Sequence, residues 1–107
     1  MEKVGKTTLS QLEQKMVTGQ YVLFFSADWC PDCRFIKPFM PAIEEDFPQM
    51  TFLAIDRDEN MDLARELDIF GIPSFVVYQD GKEQGRFVNK DRKTKEEVEK
   101  FLTNFTK

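Results

Sequence analysis

Five consecutive apolar residues, Tyr21-Val22-Leu23-Phe24-Phe25, stand between Gly19-Gln20 and Ser26-Ala27-Asp28. A run of this kind without alternation fits a strand buried on both faces, and such strands belong to parallel or mixed sheets covered by helices. The chain must therefore supply helices for two faces. Its 107 residues, 41% of them apolar, suffice for one core, and the expectation is a single domain over residues 1–107. No repeat, low-complexity stretch or linker interrupts the chain.

The remaining segments supply those helices and strands. Thr8 to Gly19 places Leu9, Leu12 and Met16 on one helical stripe, with Thr8 and Gln11 at capping-box spacing and Gly19 as the stop. After Trp29-Cys30-Pro31-Asp32-Cys33 the pattern is again helical, through Phe35, Ile36, Phe39, Met40, Ile43 and Phe47, with Pro38 and Pro41 expected to kink it. Thr51 to Asp56 reads as a second buried strand and Asn60 to Leu67 as a short helix facing inward through Leu63, Ala64 and Leu67. Strand-like runs Ser74–Tyr78 and Lys82–Val88 flank Asp80-Gly81, the signature of a tight hairpin. Thr94 and Glu97 form a capping box before a last helix with Val98, Phe101, Leu102 and Phe105 on one stripe. The predicted order is αβαβαββα, an α/β fold with a mixed sheet of at least four strands and helices on both faces.

Composition restricts the chemistry. The chain has no His, so no Ser-His-Asp or Cys-His arrangement and no imidazole ligand or pH switch comes from it. With 15 Lys plus Arg against 19 Asp plus Glu the net charge is −4, which argues against a nucleic-acid or anionic-membrane partner. No apolar run approaches a membrane span, and the first eight residues lack the apolar region of a signal peptide, so the expected location is the cytoplasm.

Both cysteines lie in one Cys-x-x-Cys, Cys30 and Cys33, between the end of a buried strand and the start of a helix. Unpaired N–H groups and the dipole at a helix N-terminus favour a thiolate, though the dipole contributes only about 0.3–1 kcal/mol, less than one pKa unit. Hydrogen bonds to sulfur must supply the rest. The spacing lets the sulfurs meet on one helical turn, so the pair can cycle between dithiol and disulfide. Two other uses compete. Zinc needs about four ligands, and two thiols without an imidazole could bind it only by bridging a dimer. A structural disulfide closing so small a loop would stabilise least, and in a reducing compartment it would not persist.

These residues resemble the thioredoxin family, in its bacterial-type Trp-Cys-Pro-Asp-Cys form, over nearly the whole chain. The resemblance rests on Ala27-Asp28-Trp29-Cys30-Pro31-Asp32-Cys33 after the buried strand, Pro38 beyond it, Ile55-Asp56 ending the next strand, and Gly71-Ile72-Pro73-Ser74 before the hairpin. It implies a thioredoxin fold with a mixed four- to five-stranded sheet. It also implies a monomeric thiol–disulfide oxidoreductase acting mainly as a reductase of protein or small-molecule disulfides, without a bound cofactor or metal. The redox-active disulfide would be Cys30–Cys33, regenerated by an NADPH-dependent flavin reductase. In that family Cys30 is the exposed attacking thiolate, Cys33 the buried resolving thiol, and Ile72-Pro73 a cis peptide offering backbone to substrate. Trp29, Pro31, Phe70, Gly71 and Ile72 would rim the groove, and Asp56 would accept from the Trp29 indole. A thioredoxin-fold adaptor with incidental cysteines, and an oxidase or isomerase, are the alternative functions.

Departures from the family pattern shape further expectations. Pro31-Asp32 stands where Gly-Pro is usual, placing a carboxylate beside both sulfurs. Phe24 occupies the position of a buried Asp, and Phe52 that of its Lys partner, so an ion pair is replaced by two aromatics. Deprotonation of Cys33 would then fall to Asp32, Asp28 or water. Ser26 removes an aromatic wall, and Asn89 should narrow the groove floor where glycine is usual. Lys90-Asp91-Arg92-Lys93 reads as a solvated loop.

Overall fold

The side chains of β2 (Gln20–Ser26) alternate between two interiors, and that alternation organises the molecule. Leu23 and Phe25 point to one core, with Leu12, Met16, Leu53, Ile55, Leu63 and Val76. Val22 and Phe24 point to the other, with Ile36, Met40, Ile43, Phe52, Phe75 and Leu102. Val22 through Ala27 are all buried, as the unbroken apolar run requires of a central strand.

The computed structural model describes residues 1–106. Its elements are β1 (Glu2–Val4), α1 (Leu9–Lys15), β2, α2 (Pro31–Ile36), a 3₁₀ turn (Lys37–Phe39), α3 (Met40–Asp46), β3 (Met50–Asp56), α4 (Met61–Glu66), β4 (Ser74–Gln79), β5 (Lys82–Phe87) and α5 (Lys95–Thr103). They build a five-stranded sheet in the order β1-β3-β2-β4-β5. β2 runs parallel to β3, with Leu23 opposite Leu53, and antiparallel to β4, with Leu23 opposite Val76.

Strand β1 is absent from the sequence-predicted order. It has three residues, pairs parallel with β3 at the sheet edge, and leaves Glu2 and Lys3 exposed. Backbone hydrogen bonds hold such a strand, so no apolar pattern marks it. The capping boxes are present as read: the Gln11 and Glu97 amides donate to the Thr8 and Thr94 hydroxyls at 3.2 and 3.1 Å. Helix α1 ends before Gly19, at a Met16 cap. Gly19, with φ +104°, instead turns the chain into β2, and its N–H donates to Asp80 Oδ1 at 2.8 Å. Asp80 and Gly81 both take positive φ, as the hairpin turn between β4 and β5 demands. Pro38 and Pro41 lack the N–H groups a continuous helix would use, and the segment after Cys33 is divided into α2, the 3₁₀ turn and α3. Among the described residues, no helix is long and apolar enough to cross a membrane.

Candidate active site

The end of β2 and the start of α2 place the two cysteines. Cys30 is the N-cap of α2, Pro31 occupies the first turn where its missing N–H costs nothing, and the Cys33 amide donates to Cys30 Sγ at 3.2 Å. Both cysteines are free thiols. Cys33 is wholly buried, and burial together with its hydrogen bond to Cys30 pushes its thiol up to about 12. The Ala27 backbone and the Lys37 charge oppose that rise.

Cys30 departs from the expected exposed thiolate, since only 5% of it is accessible. The cis Ile72–Pro73 peptide lies across it, with the Ile72 carbonyl oxygen 4.0 Å from Sγ. Access is through a shallow depression of about 290 Å³ lined by Trp29, Cys30, Pro31, Asp32, Arg57, Phe70, Gly71, Ile72 and Lys90. Trp29 and Phe70 stand out as its exposed apolar walls, at 57% and 76% accessibility. Larger depressions lie elsewhere. One of about 400 Å³, on the other side of the β2 end, holds Ser26, Asp28 and Asp56.

Asp56 does not hold the tryptophan. The Trp29 indole N–H donates to Asp58 Oδ2 at 2.6 Å, while Asp56 Oδ1 accepts the Asp58 amide at 2.9 Å. Asp56, at the strand end, thus folds the turn that carries Asp58 out to the indole. Arg57 adds its guanidinium 5.6 Å from the indole centroid.

Asn89 does not narrow the depression with its side chain. Its backbone packs against Gly71, where a Cβ would lie 2.5 Å from the Asn89 carbonyl carbon, and its amide oxygen accepts from the Asp91 amide and from Lys93. Nor is the 90–93 segment solvated throughout. Arg92 Nε bonds Asp32 Oδ1 at 2.9 Å and its guanidinium covers the Phe35 ring at 4.4 Å. Lys93 is 1% exposed. A four-residue run of charges carries no pattern that distinguishes the member turned inward, and neither does Asp58 from Asp56 in a turn.

The proton acceptors expected for Cys33 are otherwise engaged or distant. Asp32 is paired with Arg92, and the Asp28 side chain is 95% exposed, 3.6 Å from Lys37. Phe24 fills its position by stacking on Phe75, with ring centroids 5.0 Å apart. Among the described residues, no group of three or more His, Cys, Asp or Glu is placed to hold a metal ion.

Comparison with known proteins agrees with this geometry. Residues 3–104 match the sequence model of the Thioredoxin family. The chain is 36% identical over 103 residues to thioredoxin of Gallus gallus, covering 95% of this chain and 98% of that protein. It is 34% identical over 73 residues to mitochondrial thioredoxin-2 of Schizosaccharomyces pombe, a match that covers 68% of this chain and 55% of that longer protein. Among solved structures, Fasciola hepatica thioredoxin superposes with a TM-score of 0.82 at 27% identity, covering 99% of this chain and all of that one. The oxidised form of mitochondrial thioredoxin 3 from Saccharomyces cerevisiae gives 0.82 at 25% identity, covering 97% and 94%. By its sequence, its sheet and the thiol pair capping α2, the chain belongs to the thioredoxin family.

Proposed function

We propose that this thiol–disulfide oxidoreductase works mainly as a reductase, with Cys30 attacking a substrate disulfide and Cys33 resolving the mixed disulfide. The observation that carries the assignment is the division of labour between the sulfurs. Cys30 Sγ sits at the helix N-cap, receives the Cys33 amide at 3.2 Å and opens into the depression. Cys33 is enclosed and keeps its proton at neutral pH. One sulfur is thus presented to substrate and the other held back until Cys30 is covalently engaged.

Trp29 and Phe70 offer exposed apolar walls beside the Gly71-Ile72 backbone, which suits an extended, disulfide-bearing peptide better than a folded face. Asp32, Lys90 and Arg57 supply the polar border. The pair needs no bound cofactor: the electrons reside in the Cys30–Cys33 dithiol, and an NADPH-dependent flavoprotein reductase in the cytoplasm would restore it. The cycle requires one chain only, so a monomer suffices. Reduction of insulin disulfides by the dithiol form tests the reading: activity is expected in the native chain and none in Cys30→Ser. Activity surviving that substitution would remove Cys30 from the mechanism. A redox titration against glutathione fixes the direction, and a strongly oxidising potential would favour an oxidase or isomerase instead.

A further inference from the structure

Of the residues that line the depression over Cys30, three are charged: Asp32, Arg57 and Lys90. The Asp32 carboxylate accepts from Arg92, Nε to Oδ1 at 2.9 Å, and the Arg57 guanidinium is paired with Asp58, Nε to Oδ1 at 3.1 Å. Lys90 differs. Its side chain is exposed, and among the described residues no carboxylate lies within ion-pairing distance of its ammonium. Asp91, the nearest carboxylate in sequence, takes no part in the lining. One charge is thus left over at the depression, and its sign is opposite to the net −4 of the whole chain.

Backbone packing fixes the base of that side chain. A Cβ at Gly71 would lie 2.5 Å from both the Asn89 carbonyl carbon and the Lys90 amide nitrogen, so the chain at 89–90 runs in contact with the wall of the depression. Asn89 Oδ1 holds the turn, accepting the Asp91 amide at 3.0 Å and Lys93 Nζ at 2.9 Å. The frame around Lys90 is rigid while its ammonium is open to a ligand.

An exposed, uncompensated cation beside apolar walls and open backbone favours a ligand that brings an anion to it. We infer that Lys90 is a specificity-determining residue, and that the preferred substrates are disulfide-bearing peptide segments with an Asp or Glu beside the cysteine that Cys30 attacks. The inference rests on the assignment of Cys30 as the attacking thiol at this depression. In the step concerned, Cys30 Sγ bonds one substrate sulfur, the substrate S–S bond breaks, and the other sulfur leaves as a thiolate. Closure by Cys33 then releases the first sulfur, the Cys30–Cys33 dithiol having supplied both electrons. The walls formed by Trp29 and Phe70 accept extended segments by apolar contact and are indifferent to the sign of a neighbouring charge. Sorting by charge falls to Lys90.

Three synthetic peptides test this. They share one intramolecular disulfide and differ only in the residue next to each cysteine, which is Glu, Gln or Lys. The dithiol form is mixed with each and the substrate thiols are followed in time. Each rate constant is divided by that of dithiothreitol with the same peptide, which removes the effect of the flanking charge on the disulfide itself. The native chain should favour Glu over Gln by about two- to fivefold, and Gln over Lys by a similar factor. Both ratios should shrink as salt is raised. Lys90→Gln should bring the three rates together, and Lys90→Glu should reverse their order. Lys82→Glu makes the same change of net charge at the exposed start of β5, outside the depression, and should keep the native order. Equal rates for the three peptides with the native chain, or a native order in Lys90→Gln, would overturn the inference, as would Lys82→Glu acting like Lys90→Glu. No reduction of any peptide, or reduction that persists in Cys30→Ser, would instead overturn the reductase reading beneath it.

Discussion

The two polar loops that flank the thiols, Asp56–Asn60 and Asn89–Lys93, look alike in composition and each buries one polar side chain. Asn60, 2% exposed, uses both halves of its amide: Oδ1 accepts from the Thr7 amide at 2.9 Å, and Nδ2 donates to Asp56 O at 3.2 Å and Gly5 O at 3.4 Å. It joins the β1–α1 connection to the end of β3. Lys93 has donors only, and all of them end on its own loop. Both side chains are fully satisfied, so both order their loops. The amide carries no net charge, whereas the ammonium keeps a full one with only neutral oxygens and the Phe87 ring in contact. Hydrogen-bond satisfaction and charge compensation are separate conditions, and only the first loop meets both.

Substitution should first show what the loops share. Asn60→Ala and Lys93→Ala each leave buried oxygens or amides without partners and are expected to lower stability by about 1–3 kcal/mol in denaturant titrations. Where they differ is in charge: Asn60→Ala should lower stability equally at all pH values, whereas Lys93→Met should also change how stability varies with pH in the alkaline range, and the same pH dependence in both variants would erase the distinction.

Alkaline stability sharpens it next. The Cys33 thiol has a folded-state pKa of about 12 against an ordinary value of 9.0. The folded chain therefore holds a proton the unfolded chain gives up, and the resulting stability is complete below pH 9.0 and lost as pH rises toward about 12. Burial lowers Lys93 from 10.5, which works with the opposite sign and raises stability as pH climbs toward that value. Denaturation midpoints measured across this range should fall further for the dithiol form than for the disulfide form, which has no thiol proton to lose and shares only the loss from groups such as Tyr78, whose phenol is also raised by burial. In Lys93→Met the dithiol form should fall more steeply, because the opposing contribution is gone.

The smallest effect lies in the exposed loop. Asp58→Asn weakens the acceptor of the Trp29 indole and should change tryptophan emission while altering stability by no more than about 1 kcal/mol. Asp56→Asn, which leaves the indole acceptor in place, should change emission less; the reverse order would restore Asp56 as the tryptophan's partner.

What could be read from the chain divides along the range of the interactions. Thr8 with Gln11, Thr94 with Glu97, and Asp80-Gly81 are satisfied within a few residues, so their identities suffice to place them. Tyr21 to Phe25 needed only its own continuity to be recognised as a central strand. Cys30, Pro31 and Cys33 took their places at the helix start for the same local reason. β1 escaped because edge pairing is made by backbone and leaves its side chains in water. Asp56 and Asp58 are interchangeable until the turn between them closes. Lys93 is buried because Asn89 and Asp91 turn their oxygens inward while the loop packs on Gly71, a condition set across the whole sheet, and nothing in a Lys-Asp-Arg-Lys run records it.

Gly71 and Phe70, adjacent on the wall of the depression, leave the chain very different latitude. At Gly71 any side chain would collide with the Asn89 and Lys90 backbone, whereas Phe70 is 76% exposed and confined by little. Evolution or a randomised library can therefore exchange the residue at 70 freely, which on the proposed function would retune the peptides favoured, while position 71 admits glycine alone. The wall of the depression is built so that its chemistry can drift without its frame, one codon at a time, beside an intact thiol pair.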